Sequence, residues 1–419
     1  MNPNQFLPSI ERVLDQVNAI SLPGPGWTRP SYSDEESRAH HVIAVMCEDI
    51  GMNVWRDSAG NLFARLPGTI SGLPAIHVGS HLDTVGQGGA FDGAAGVAAA
   101  MSLANYFVES NQRPKSDFVV TVLRAEESVW FPASYIGSRT ALGRLDPQEL
   151  KIKRTDTGLT LAHHMQSQGI DAAAAARITL PAPARFLEFH IEQGPVLATA
   201  GEPYALINSI RGGLRYRDAQ IHGTWAHSGG APREIRADVV FSFADLVTAL
   251  DENWAARLGK GQDLAVTFGI VNAASPIHAM AKVPGQMGFC LDLRSVDTEV
   301  LESVDNDLKL QIAKIEAQRP GLRFALGSQS RSTPVGLSGL FPDLLGRAAR
   351  ELGQSPRTMH SGGGHDAAAF ATAGWDSGLV FIRNEHGSHC PEESMTTVDL
   401  AEAVAVTAHA LLNEEKVNT

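Results

Sequence analysis

Residues 75–107 constrain the fold more than any other stretch of the chain. Ala75-Ile76-His77-Val78 has the length and apolar character of a buried strand. It leads into Gly79-Ser80-His81-Leu82-Asp83-Thr84-Val85, then a glycine-rich loop, then Phe91-Asp92-Gly93 at the head of an alanine-rich helix. Side chains alternate along an extended segment, so His81 and Asp83 point the same way. Asp83 is then placed to accept a bond from one imidazole nitrogen while the other nitrogen faces a metal. The Asp92 carboxylate, just before the helix, can reach back into the same pocket. Two acids and a histidine beside a turn at the end of a buried strand point to a metal site.

Size and charge narrow the class. At 419 residues the chain suits two domains. A hydrophobic fraction of 43% with 19% charged residues describes a globular protein rather than a disordered or fibrous one. A formal net charge of -12 argues against nucleic acid as a partner, while leaving room for a small anion in a locally basic pocket. Cys47, Cys290 and Cys390 lie far apart without a CxxC pair, as expected of reduced thiols. The opening MNPNQFLPSI lacks a basic start followed by an apolar run. The uncharged run 93–108 is Gly/Ala-rich and too short to span a bilayer. The expectation is a cytoplasmic protein without a membrane or nucleic-acid partner.

Helices are expected over 8–20 and 33–49, and strands over 53–56 and 62–66 around a turn at 57–61. Further strands are expected over 117–124 and 186–191, ending in Ala125-Glu126-Glu127-Ser128 and Glu192-Gln193-Gly194-Pro195. The stretch 147–184 is mixed and helical in part. Strands separated by helices imply an α/β layer with a mixed, mostly parallel sheet, whose sites form at the carboxyl ends of its strands. From about Leu214 the pattern becomes strand 215–221, helix 236–258, strands 264–271 and 286–293, helix 298–318 and strand 322–326. That β-α-β-β-α-β order is the split-βαβ, ferredoxin-like α+β arrangement. It reads as an insertion, because the first pattern resumes from Leu340 and runs through Gly362-Gly363-Gly364-His365-Asp366 to a closing helix from Val398.

A hydrolytic zinc or manganese centre wants oxygen and imidazole ligands with an open position. His81, Asp92, Glu127, His190 and His389 all fall at strand or loop ends. One acid bridging two ions, with a His and a carboxylate on one and two His on the other, would build a two-metal centre. Adjacent Glu126 and Glu127 can face different ways, one toward metal and its neighbour toward the attacking water. Each residue alone has an ordinary structural use: a core histidine, a solvated glutamate, a helix N-cap. Their joint appearance in this order outweighs those uses.

The ordered set GSHLDTV, FDGAAGV, AEES, EFHIEQGPVL, AHSGGAP, SGGGHDAA and GSHCPEE closely resembles the M20 metallopeptidase-like amidohydrolases. The nearest branch holds N-carbamoyl-L-amino acid hydrolases, β-ureidopropionases and allantoate amidohydrolases. The resemblance covers nearly the whole chain. It implies a catalytic domain made of 1–210 and 330–419, interrupted at 211–329 by a lid that also forms a homodimer. It implies one or two divalent ions, Zn2+ or Mn2+. By motif His81, Asp92, Glu127, His190 and His389 match the family's ligands, with Asp92 the bridge. Glu126 matches the general base and Asp83 the acid behind the ligands. His227 matches the lid histidine that in the family reaches across the dimer to stabilise the oxyanion, and Arg294 and Gln193 match substrate-binding positions.

Departures from the family pattern bear on substrate. Where relatives read EExxRF, Trp130 replaces the arginine. Where they read HAGTTPM, this chain reads His227-Ser228-Gly229-Gly230-Ala231-Pro232-Arg233. In the segment corresponding to PNxxNVIPG, His278 and Ala281 replace asparagines. A buried polar group left without its partner costs about 1–3 kcal/mol, so an unchanged carbamoyl amino acid would fit poorly. Trp130 and Arg233 suit a flatter anion, with Arg215, Arg211 and Arg383 as further guanidinium candidates. The expected reaction is metal-assisted hydrolysis of a C–N bond in a small carboxylate-bearing compound, with ureido or amide cleavage first. Hydrolytic deamination of an aromatic amine such as an aminobenzoate is the alternative. A dipeptidase fits less well, because HIEQGP belongs to the amidase branch. A metal-free binding protein would have lost a ligand or the base, and all are present.

Overall fold

A nine-stranded mixed sheet organises the first of two compact units, formed by Met1–Asn208 with Gly336–Thr419; the second is Ser209–Val335. The computed structural model describes residues 1–414 apart from 176–179, 181–183, 275 and 338. The first five strands are β1 (Asn53–Arg56), β2 (Leu62–Leu66), β3 (Ile76–His81), β4 (Phe118–Leu123) and β5 (Arg185–Ile191). In space the order is β1-β2-β4-β3-β5, continued by Asp376–Ile382, Tyr204–Ile210 and Val335–Gly336. The strand Arg357–Ser361 also pairs with Tyr204–Ile210.

The pairings β4–β3, β3–β5 and β5 with Asp376–Ile382 are parallel. Those of β1–β2, β2–β4 and Asp376–Ile382 with Tyr204–Ile210 are antiparallel. The mixed sheet expected from the sequence is parallel at its centre and antiparallel at its flanks. The cause on one flank is the tight turn between β1 and β2, where the Asp57 carboxylate accepts the N–H groups of Ala59 and Asn61, both at 2.9 Å. Strands joined by so short a turn run antiparallel. The strand Tyr204–Ile210 was not anticipated. Within 147–184, residues 176–179 and 181–183 lie outside the described residues, and the rest includes the helices Leu161–Ser167 and Ala172–Ala175.

Helices α1 (Leu7–Asn18), α2 (Asp34–Asp49) and α3 (Ala94–Glu109) follow the sequence pattern. Ser33 caps α2 by accepting the Glu36 N–H at 3.2 Å, and Asp34, Glu35 and Glu36 suit the positive end of its dipole. The alanine content of α3 answers a packing demand. A Cβ on Gly96 would lie 2.2 Å from the Phe189 carbonyl oxygen, so only glycine lets the helix backbone rest on β5. Gly93 opens that helix at φ 65, a left-handed conformation that glycine adopts without strain. Ile10, Val13, Leu14 and Val17 of α1 join the α3 alanines and the closing helix Thr397–Leu412 in one core on this face of the sheet.

His77 sits within that sheet on β3, 5% exposed, with its Nδ1 2.9 Å from the Thr121 hydroxyl. Burial pushes its pKa down to about 3. An unfolded histidine titrates near 6.5, so acid protonates the unfolded chain first. The stability His77 contributes is present above that value and is lost as pH falls from about 6.5 toward 3, amounting to about 2 kcal/mol between pH 7 and pH 5. His77→Gln is expected to flatten the fall in Tm between pH 7 and pH 5, measured with excess chelator so that metal plays no part. Parallel profiles for the two proteins would refute this.

The second unit carries a six-stranded sheet ordered Val271–Asn272, Gln286–Ser295, Gly212–His222, Arg323–Ala325. Gln329–Ser332 also pairs with Gly212–His222, and Ala265–Thr267 with Gln286–Ser295. All of these pairings are antiparallel. The helices Val239–Leu258 and Thr298–Gln318 contribute Leu246, Leu250, Val304 and Leu308 to its core. The strand expected over 264–271 is two short pieces, Ala265–Thr267 and Val271–Asn272, with Gly269 in the break. The chain leaves and re-enters the first unit at adjacent points, because the Leu337 N–H donates to the Asn208 carbonyl at 2.8 Å. No helix among the described residues is long and apolar enough to cross a membrane.

Candidate metal centre

Parallel strands end on one edge of a sheet, and the central strands deliver their loops there. His81 is the last residue of β3, and the Glu126–Glu127 turn follows β4. His190 lies near the end of β5, and His389 sits in the loop beyond Asp376–Ile382. Asp92 comes from the loop between β3 and α3. The structure brings all five together in two overlapping groups, His81/Asp92/His190 and Asp92/Glu127/His389, with the ligand atoms of each group within 4.8 Å of one another.

Asp92 is common to both groups, and its two oxygens divide between them. Oδ1 lies 3.4 Å from His81 Nε2 and 3.2 Å from His190 Nε2. Oδ2 lies 3.4 Å from His389 Nε2, which in turn is 3.6 Å from Glu127 Oε1. The imidazoles are oriented from behind. His81 Nδ1 is 3.0 Å from the Asp83 carbonyl oxygen, and His190 Nδ1 is 2.9 Å from that of Ile191. A carbonyl only accepts, so each Nδ1 donates its proton there and each Nε2 is turned toward Asp92. This donor set of imidazole nitrogens and carboxylate oxygens, largely buried and oriented from outside, suits a divalent metal ion.

Asp83 departs from the expected geometry. Its backbone carbonyl is closer to His81 than its carboxylate, whose Oδ1 stands at 3.4 Å. The fully buried carboxylate instead accepts the Ser31 hydroxyl at 2.6 Å and the N–H groups of Glu126 and Glu127, each at 3.1 Å. Asp83 therefore holds the turn that presents both glutamates. Ala125, just before them, is held at φ 52, and the Glu36 carboxylate accepts its N–H at 3.0 Å.

Without an ion, the charges in the cluster balance among themselves. Burial opposes a charged His81, but hydrogen bonds to Asp83 and Asp92 outweigh it and hold its pKa well above the usual value. The hydrogen bond to Asp92 raises His389 to about 9. Burial, then the Asp92 charge, pushes Glu127 up to about 7. Burial pushes the Glu126 carboxyl well up, with Glu127 and Asp366 adding to it and His81 opposing. The carboxylates that draw protons onto these imidazoles are the groups that could hold a cation in their place.

Gln193 was expected to bind substrate. Here its carboxamide nitrogen donates to Asp92 Oδ2 at 2.7 Å and lies 3.3 Å from His389 Nε2. Trp130 follows the glutamate turn, partly buried, with its indole N–H donated to the Thr84 carbonyl at 2.7 Å. Of the remaining candidates, Arg383 lies in the first unit and donates to the Asp399 carboxylate at 2.8 Å, and the others belong to the second unit, where Arg211 donates to Asp263 at 2.9 Å. His227 is exposed, and its Nδ1 accepts the N–H groups of Gly229 and Gly230 at 3.2 and 3.1 Å. Arg215 and Arg294 share Asp292, at 3.2 Å from its Oδ1 and 2.8 Å from its Oδ2 respectively. Arg233 is exposed, and His278 packs edge-on against Trp225 at 4.7 Å between ring centroids.

Several residues around the cluster escaped the sequence reading. Ser31 bonds Asp83, Glu36 bonds Ala125, and Ser388 and Glu393 both bond Asp92. Asp366 is buried, accepts the Ser138 hydroxyl at 2.6 Å, and is pushed up to about 8 by burial and then by Glu188. Asp366 and Glu393 both lie inside motifs that were recognised, SGGGHDAA and GSHCPEE, so position within a motif was the available signal.

The sequence model of Peptidase family M20/M25/M40 matches residues 77–413. An N-carbamoyl-L-amino acid amidohydrolase of Geobacillus stearothermophilus is 31% identical over 408 residues, covering 96% of each chain. An allantoate amidohydrolase of Bacillus subtilis is 31% identical over 373 residues, covering 88% of each. Among solved structures, a hydantoinase/carbamoylase family amidase of Burkholderia ambifaria superposes with a TM-score of 0.86 at 27% identity, covering 97% of this chain and 96% of its own.

Proposed function

The chain belongs to Peptidase family M20/M25/M40, and from that premise we propose that it hydrolyses a C–N bond of an N-carbamoyl, ureido or amide group on a small carboxylate-bearing compound. One observation carries the reading: the two oxygens of Asp92 face two separate sets of donors, as a bridging acid requires. We assign His81, Asp92, Glu127, His190 and His389 as the ligands of one or two divalent ions, Zn2+ or Mn2+. Such ions polarise the scissile group and lower the pKa of water.

The chain's own side chains supply the rest. Glu126 takes the proton from the attacking water and returns it to the departing nitrogen, a role suited to a carboxyl whose burial raises its proton affinity. Asp83 keeps Glu126 and Glu127 in register through their backbone N–H groups. His227 accepts backbone N–H groups at Nδ1, so its Nε2–H is the donor left to stabilise a developing oxyanion. Arg294 and Arg215 are the proposed carboxylate contacts, with Gln193, Arg233 and His278 as further substrate contacts. Residues 211–329 would act as lid and dimerisation domain of a cytoplasmic homodimer.

Trp130, where relatives carry arginine, supports a second reading, deamination of a flat aromatic amine. One assay separates the two. Metal-loaded protein is offered N-carbamoyl amino acids, allantoate and aminobenzoates, and ammonia and carbon dioxide are measured. Carbamoyl cleavage releases both together. Ammonia alone from an arylamine, with the ureido compounds inert, would overturn the first reading.

A further inference from the structure

We propose that Glu393 is a positioning residue of this centre, fixing Asp92 and the His389 loop against each other as Asp83 fixes the Glu126–Glu127 turn. The inference rests on the metal reading above and adds a residue that touches neither metal nor substrate. Glu393 is buried, at 4% exposure. Its Oε1 accepts the N–H groups of Phe91 at 3.0 Å and Asp92 at 3.1 Å. Its Oε2 accepts the Ser388 hydroxyl at 2.8 Å, and that hydroxyl also stands 3.2 Å from Asp92 Oδ2.

The socket is built for a carboxylate. A Cβ on Gly89 would fall 2.1 Å from Glu393 Cδ and Oε1, so the absence of a side chain at 89 makes the space. Without Glu393 two backbone donors would be left buried and unpaired, which favours movement of the turn. Asp92 has one oxygen toward each donor group, so a shift of its backbone disturbs both. Ser388 and Glu393 also bracket His389 in the sequence, so the same carboxylate sets the 3.4 Å separation of Asp92 and His389.

The test is divalent-ion affinity of the full chain, by chelator competition with Zn2+ and Mn2+, alongside the visible spectrum of the Co2+-loaded protein. Glu393→Ala is expected to weaken at least one ion on the order of 10–100-fold and to change the Co2+ spectrum. Glu393→Gln is expected to stay within about threefold of wild type, since its carboxamide oxygen can accept both N–H groups while its NH2 donates to Ser388. Gly89→Ala displaces the carboxylate from the opposite side and is expected to match Glu393→Ala, yet to add nothing in that background. A residue with only a structural role would lower Tm and leave affinity and spectrum unmoved. Wild-type binding that Glu393→Ala or Gly89→Ala leaves within about twofold, or a Gln variant as weak as the Ala variant, overturns the inference alone. A wild-type protein that takes up no divalent ion overturns the metal reading beneath it.

Discussion

Glu126→Gln lowers kcat by about 10²–10⁴-fold while leaving bound-metal content and thermal unfolding at wild-type levels. The size of the effect follows from the chemistry. A carboxamide has the shape of the carboxylate but cannot accept the proton of the attacking water or hand one to the leaving nitrogen. The small structural effect follows from the geometry. Asp83 holds position 126 through its backbone N–H, which the substitution leaves in place. Glu126 also stands outside both donor groups, so neither loses a member. Steady-state kinetics with metal analysis of the same preparation decides the matter, and wild-type turnover in the Gln variant would place the base elsewhere.

Asp92→Ala has the larger consequence, because it removes the one side chain both groups share. The expected outcome is no metal uptake at free-ion concentrations that saturate the wild type, with turnover at background even in excess metal. Retention of two ions in this variant would exclude Asp92 as a bridge. The metal-free proteins differ in a pH-dependent way. The hydrogen bond to Asp92 raises His389 to about 9 in the folded chain, against about 6.5 when unfolded. A raised histidine pKa contributes stability that is fully present below about 6.5 and is lost as pH rises through about 9. The Tm gap between metal-free wild type and Asp92→Ala should therefore be widest below pH 6.5 and close toward pH 9.

Local chemistry is what the sequence made legible. Strands 53–56 and 62–66 and helix 298–318 fall where alternation, turn residues and period placed them. The five donors were readable because each lies at or near a strand end or in a loop between elements, within a short motif. What escaped was decided by distance along the chain. No local pattern says that the Glu36 carboxylate will meet Ala125, or that Glu393 will meet Phe91 and Asp92, some 300 residues away. The antiparallel strand Tyr204–Ile210 was missed because its pairing partner, Asp376–Ile382, lies beyond the whole second unit. Local alternation also aimed the Asp83 carboxylate at His81, whereas the loop after β3 turns it onto the glutamate amides.

The hydrogen bond from Leu337 to Asn208 makes the two crossings between the units a single doorway. A polypeptide that exits and returns through neighbouring residues can be spliced there: a short glycine linker from 208 to 337 should leave the donor-bearing unit intact. Yet four of the five donors precede that doorway and His389 follows it. On the ribosome, the pocket must therefore wait through the whole excursion before its last imidazole arrives.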